Sequence, residues 1–116
     1  MKHAYQLVLA LAAILATVAA AEAEDISLTC DYPDGGSYRL DISSGYVLHN
    51  GDNLQATDII IASNSITFTW PITAGWMKKY NINRANGISI VSEYTSDKVK
   101  TRTDTCAKAT EAPKKF

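Results

Sequence analysis

Few residues in this chain have side chains that could carry chemistry once the N-terminal apolar stretch is set aside. One histidine remains, His49, and the chain has two cysteines, Cys30 and Cys106. A Ser-His-Asp triad could be drawn from His49, Asp52 and one of many serines, but no G-x-S-x-G elbow is present. A zinc site needs three or four ligands at recognisable spacing. We therefore predict no catalytic residue, no metal site and no cofactor.

Paired carboxylates, as in glycosidases, are the other chemistry considered. Glu93 is the only glutamate between residues 25 and 110. The aspartates are predicted in turns or on outward strand faces, which indicates a solvated surface. They are Asp31, Asp34, Asp41, Asp52, Asp58, Asp97 and Asp104.

The two cysteines are predicted to form a disulfide between Cys30 and Cys106. An even number of cysteines in an exported chain favours a disulfide. The bond would close a loop of more than 70 residues, and a domain this small benefits from such reinforcement. The alternative is a redox-active or metal-binding thiol pair, but the chain contains no C-x-x-C motif.

The cysteine prediction rests on export, which the N-terminus indicates. Residues 1–23 read as a signal peptide, with Lys2 and His3 before the apolar stretch "LVLALAAILATVAAA" and two overlapping A-x-A cleavage sites after it. The apolar stretch is shorter than the roughly 20 residues of a transmembrane helix. The predicted location is the periplasm or the extracellular space, without a stable membrane anchor after cleavage. An uncleaved anchor is the alternative.

The charge balance excludes one class of partner. The formal net charge is −1, and no basic footprint of the kind that nucleic-acid binders show is present. The lysines of "KATEAPKKF" lie in a predicted flexible tail, residues 108–116. Between the signal and the tail we predict a single β domain, residues 24–107.

The elements that would position these side chains repeat along the chain. "ISLTC" at residues 26–30 matches "ITFTW" at 66–70, and "YRLDISSG" at 38–45 matches "YNINRANG" at 80–87. We interpret them as two copies, about residues 25–64 and 65–106. Chance resemblance between strand-rich segments is the alternative.

Period-two alternation predicts about eight β strands, near residues 25–32, 37–42, 46–49, 58–62, 65–70, 77–84, 88–94 and 98–106. Cys30 lies on the first strand and Cys106 ends the last. Because a disulfide needs neighbouring Cα atoms, the pair predicts closure of the sheet. The expected fold is all-β: a small antiparallel barrel or closed sandwich with a filled core.

Two glycines are predicted to occupy matching positions in this fold. Gly45 and Gly87 each end a three-residue connection between alternating strands. Such hairpins commonly place a residue in the left-handed region, which glycine adopts without strain. We expect both at equivalent hairpin bulges.

The segment "WPITAGWMKKY" is the candidate interaction site. Trp76, Met77, Lys78 and Lys79 combine aromatic, thioether and basic side chains in the manner of protein interfaces. Trp70 is expected to pack in the core, since it alternates with Phe68, whereas Trp76 could either pack or contact a partner.

The second copy, with "ITFTW", "YNINRANG" and a terminal Cys, resembles small uncharacterised secreted or periplasmic β proteins of proteobacteria, over residues 66–106. A weaker similarity is to periplasmic lysozyme-inhibitor barrels, although an S-G-x-R-Y-type loop is absent. Fold-level resemblance does not establish activity. The expected function is a non-enzymatic binding module, with an envelope or extracellular protein as the candidate partner. The alternatives are an inhibitor of a hydrolase such as lysozyme, a structural envelope protein or a small hydrolase.

Overall fold

The computed structural model describes residues 24–109, and this part of the chain is all β. No helix that could cross a membrane is found in that range. The predicted signal peptide and most of the predicted tail lie outside it. The strands are β1 (Ile26–Asp31), β2 (Ser37–Ile42), β3 (Val47–His49), β4 (Asp52–Asn53), β5 (Thr57–Ile61), β6 (Ser65–Thr73), β7 (Trp76–Asn83), β8 (Ile88–Tyr94) and β9 (Val99–Lys108).

All nine strands form one antiparallel sheet in the order β4-β3-β2-β1-β9-β8-β7-β6-β5. The sheet curls into a half-barrel, which confirms the prediction of a small all-β barrel. Eight of the nine strands are predicted by the alternation, and β4 is the addition. Most neighbours along the chain also pair in the sheet, because short connections favour antiparallel hairpins.

The segment that follows β3 spans the gap between the two edges of the sheet. β4 pairs with β3, and β5 pairs with β6. Between them lie Leu54, which is buried, and Gln55, which has a φ of 53°. The rings of His49 and Trp70 approach to 6.0 Å between centroids from opposite sides of the gap. Side chains therefore meet where the backbone ladder is interrupted.

The pairing pattern is similar in the two halves of the sheet. β1, β2 and β3 form one antiparallel meander, and β6, β7 and β8 form the other. In each half, the strand segment that follows the meander pairs with the first strand of the other half. β9 pairs with β1 in this way, and β5 pairs with β6. β9 is one continuous strand that pairs with β8 over residues 99–105, whereas the equivalent segment in the first half is divided into β4 and β5.

The disulfide between Cys30 and Cys106 is confirmed. The two residues are direct cross-strand partners on β1 and β9, and both are buried. The bond therefore joins the first and last strands at the middle of the sheet and crosses the packed interior face. The presence of a disulfide is compatible with an oxidising compartment outside the cytoplasm.

The concave face of the sheet holds the core. Most strands contribute alternate residues to it, as period-two patterns require, whereas both residues of β4 are exposed. The buried apolar residues are Leu28, Cys30, Tyr38, Leu40, Ile42, Val47, Leu54, Ile66, Phe68, Tyr80, Ile82, Val91 and Cys106. The filled interior agrees with the expectation for a barrel of this size.

The inward face of β8 is not the one that carries Ile88 and Ile90. Ile88 and Ile90 are 41% and 40% exposed, whereas Ser89 and Val91 are buried. β7 faces inward with even-numbered residues, but β8 does so with odd-numbered ones, because Ile82 pairs with Ser89 across the connecting turn. The strand pattern alone could not reveal this change of parity.

Gly87 confirms the predicted left-handed conformation, whereas Gly45 does not. Gly87 has a φ of 76°, and a Cβ there would collide with the carbonyl oxygen of Cys106. Gly45 has no positive φ, and a Cβ added there would meet no atom within 4 Å. The Ser43 hydroxyl accepts hydrogen bonds from the amides of Gly45 and Tyr46, each at 3.3 Å. This hydroxyl supports the turn without requiring a left-handed residue.

Gly87→Ala is therefore expected to destabilise the domain by about 3 kcal/mol, because left-handed strain adds to displacement of the β9 backbone. Gly45→Ala is the matched control and should change the free energy of unfolding by less than about 0.5 kcal/mol. Urea denaturation of the oxidised domain measures both changes. Equal losses in the two variants would contradict the assignment.

Candidate functional site

The four residues of the predicted interaction patch lie on β7 and alternate between two faces. Trp76 and Lys78 share the concave side with buried Tyr80. Met77 and Lys79 lie on the convex side, where Lys79 Nζ is 5.4 Å from the centre of the Tyr94 ring. Because neighbouring strand residues point to opposite faces, one flat partner surface cannot cover all four side chains.

An aromatic layer closes the core at the end of the half-barrel where these residues lie. It comprises Tyr32, Tyr38, His49 and Trp70. The ring centroids of Tyr32 and Tyr38 are 4.7 Å apart, and those of Tyr38 and His49 are 5.0 Å apart and nearly parallel. Trp70 follows His49 across the gap. Trp70 thus packs against the core, as expected, and is partly buried.

Two cations flank the aromatic layer. Lys78 Nζ lies 5.2 Å from the centre of the Trp70 ring, and Arg102 Cζ lies 4.9 Å from that of Tyr32. Both distances are within the range of cation–π attraction. The layer therefore presents positive charge together with aromatic surface at this end of the fold.

Beneath the layer, Asp104 is fully buried and anchors Arg102. Arg102 donates from Nε to Asp104 Oδ1 at 2.7 Å and from Nη2 to Oδ2 at 2.9 Å, and the Tyr38 hydroxyl also donates to Oδ2. Burial and then the hydrogen bond to Asp104 raise the pKa of Tyr38. The same carboxylate raises the pKa of Arg102, and burial raises the pKa of Tyr80 to about 12. Both tyrosines therefore stay protonated at neutral pH.

The prediction of an outward-facing Asp104 was wrong, and the network was missed for that reason. The threonines of "TRTDTC" are exposed instead, and Arg102, Asp104 and Cys106 point inward. A signal was available: Asp104 has the same strand parity as Cys106, which had to face the interior to pair with Cys30. A charged residue is tolerated inside because its charge is paired and hydrogen-bonded.

His49 does not form a catalytic triad with the residues described. It pairs across strands with Asp52, but its ring stacks on Tyr38, and no serine hydroxyl is found hydrogen-bonded to it. Burial, aided by the Lys78 charge, lowers the pKa of His49 and favours the neutral imidazole. Within residues 24–109 no group of three or more His, Cys, Asp or Glu residues could hold a metal ion.

The rim of this end consists of two adjacent hairpins, residues 73–78 and 93–100. At the rim the Trp76 indole Nε1 donates to Glu93 Oε2 at 2.9 Å. Glu93 pairs across strands with Lys78 on one side and Lys100 on the other. Trp76 remains 38% exposed. The indole is therefore oriented by a hydrogen bond while much of its surface is open to solvent.

Positive and negative charges lie on opposite sides of the opening at this end of the half-barrel. Residues 73–79 and 93–100, which are the rim and the adjoining Lys79, contain four lysines and two carboxylates. These are Lys78, Lys79, Lys98 and Lys100, and Glu93 and Asp97, so the formal charge is 4 − 2 = +2. The loops across the opening carry exposed Asp31, Asp34 and Asp52.

The fold and this site define a small disulfide-linked half-barrel with an aromatic and cationic end. Comparisons of the chain with protein-family models, with curated protein sequences and with solved structures each find no match.

Proposed function

We propose that this chain is a non-enzymatic, protein-binding module that works in the periplasm or extracellular space and contacts its partner through the rim. The single observation behind this proposal is that the Trp76 indole is partly exposed and is held in one orientation by its hydrogen bond to Glu93. The disulfide and the predicted signal peptide support the location, as does the resemblance to small secreted β proteins.

Trp76 has the properties of an interface anchor. Tryptophan is among the residues enriched at binding hot spots. A side chain that is already oriented in the free protein loses less conformational entropy when it binds. Trp76 can therefore insert into an apolar depression on a partner at a low entropic cost.

The charge at the rim specifies the chemistry of the partner. Lys78 and Lys100 flank Glu93, whose carboxylate is already hydrogen-bonded to Trp76. Complementary charge accelerates association and disfavours wrong partners. The expected partner presents an acidic surface around an apolar depression.

The test is capture of periplasmic and culture-supernatant proteins on the immobilised oxidised domain, followed by calorimetry with each purified candidate. Trp76→Ala should weaken a true partner by roughly 30-fold or more, and the affinity should fall with added salt. Tyr46→Ala is the matched control, since Tyr46 is also an exposed aromatic residue, 44% exposed, but lies in the turn at the opposite end.

Binding that is lost equally in both variants, or retained in Trp76→Ala, would refute the rim as the contact surface. If the captured partner is a hydrolase, its activity is titrated with the domain. Inhibition that depends on Trp76 would then assign the inhibitor function, and lysozyme is the first such enzyme to assay directly.

A further inference from the structure

A cleft of about 340 Å³ opens at the end of the half-barrel opposite the rim. It lies between the start of β1, the end of β9 and the turn that joins β7 to β8. Its apolar wall residues are Ile26, Leu28, Ile66 and Ile82. Its volume and apolar walls match those of small-molecule sites, which add a few convergent polar groups to orient the ligand.

Arg84 supplies such a group at the entrance. Its Nη1 donates to the Ala62 carbonyl at 2.7 Å, which holds the guanidinium in place. The same guanidinium binds the two carboxylate oxygens of Glu24, at 3.2 Å from Nη1 and 2.5 Å from Nη2. This two-point geometry is the one by which arginine recognises carboxylates.

Glu24 shows that this position favours a negative charge. The hydrogen bond from Arg84 lowers the pKa of Glu24, and the charges of Arg84 and Lys108 act in the same direction. The Glu24 side chain lies at the surface and is 47% exposed. An exposed ion pair of this kind contributes little stability, so another carboxylate can displace it.

We propose that the cleft binds a small amphipathic monocarboxylate of the medium-chain fatty-acid class. Its apolar chain would lie against the isoleucine walls, and its carboxylate would replace that of Glu24 on Arg84. Glu24 then acts as an internal competitor. This site is at the other end of the fold from Trp76, so the test of octanoate binding is independent of the test of the proposed function.

Calorimetric titration with octanoate tests the proposal, with octan-1-ol as the uncharged control. The wild-type domain should bind octanoate in preference to octan-1-ol. Glu24→Gln should bind octanoate about two- to fivefold more tightly, since the competitor is removed. Arg84→Gln should weaken octanoate roughly tenfold and leave octan-1-ol unchanged.

The site is located by the backbone amide shifts of Leu28, Ile82 and Arg84 on titration. No octanoate binding to either the wild type or Glu24→Gln would overturn the proposal, and so would equal binding of octanoate and octan-1-ol. If Arg84→Gln does not fold, the Glu24→Gln comparison decides alone: an affinity unchanged or reduced in that variant would reject the competition.

Discussion

Asp104→Ala is expected to lower the free energy of unfolding by about 3 to 5 kcal/mol, because it leaves the Arg102 charge without its partner beneath the aromatic layer. The Tyr38 hydroxyl also loses its acceptor in a buried position. A buried donor without a partner costs about 1 to 3 kcal/mol on its own. The loss is measured by urea denaturation with tyrosine and tryptophan fluorescence.

Asp41→Ala is the matched control for this variant. Asp41, like Asp104, binds an arginine two positions earlier on the same strand, in this case Arg39 at 3.0 Å. The side chains of Arg39 and Asp41 are 53% and 28% exposed, so this pair is far more open to solvent. Its removal should cost about 1 kcal/mol or less. Similar losses for the two aspartates would contradict a structural role for the buried network.

Reduction of the Cys30–Cys106 disulfide should destabilise the domain by about 4 kcal/mol in the chain-entropy account, because the bond closes a loop with a sequence separation of 76. A domain of this size has a total stability of only about 5 to 15 kcal/mol. The reduced protein should therefore unfold at much lower urea concentration.

The double variant Cys30→Ala/Cys106→Ala provides the control for reduction. It should have a low stability that dithiothreitol does not change, whereas the wild type should fall towards that value when reductant is added. A wild-type midpoint that is insensitive to complete reduction, verified by thiol titration, would show that the bond does not support the fold.

Several strands could be predicted from the sequence because their local pattern and their tertiary environment agree. "ISLTC", "YRLDI" and "ITFTW" place large apolar residues at every second position, and one face of the sheet buries them. The cysteine pair added a long-range constraint, since a bond between the first and last strands requires these two strands to be neighbours. No comparable constraint indicated where the ladder would be interrupted at Gln55.

The candidate site was predicted less well than the strands. The rim residues Trp76 and Lys78 were identified by composition, but the sequence did not show that Met77 and Lys79 belong to the other face. The cleft at Arg84 was not predicted at all. Its walls come from β1, β6 and β7, and local patterns do not report which distant strands meet at one end of a sheet.

The sequence by itself determined the all-β class and the core faces of β1, β2, β6 and β7, because alternation is visible within a short segment. It also determined the disulfide, because two cysteines allow only one pairing within the chain. The tertiary structure decided which face of β8 points inward, whereas the inward face of β9 follows from the parity of Cys106. Threonine and isoleucine suit either face of a strand, so local preference could not choose. The register of β8 to β7, in which Ile82 pairs with Ser89, made that choice.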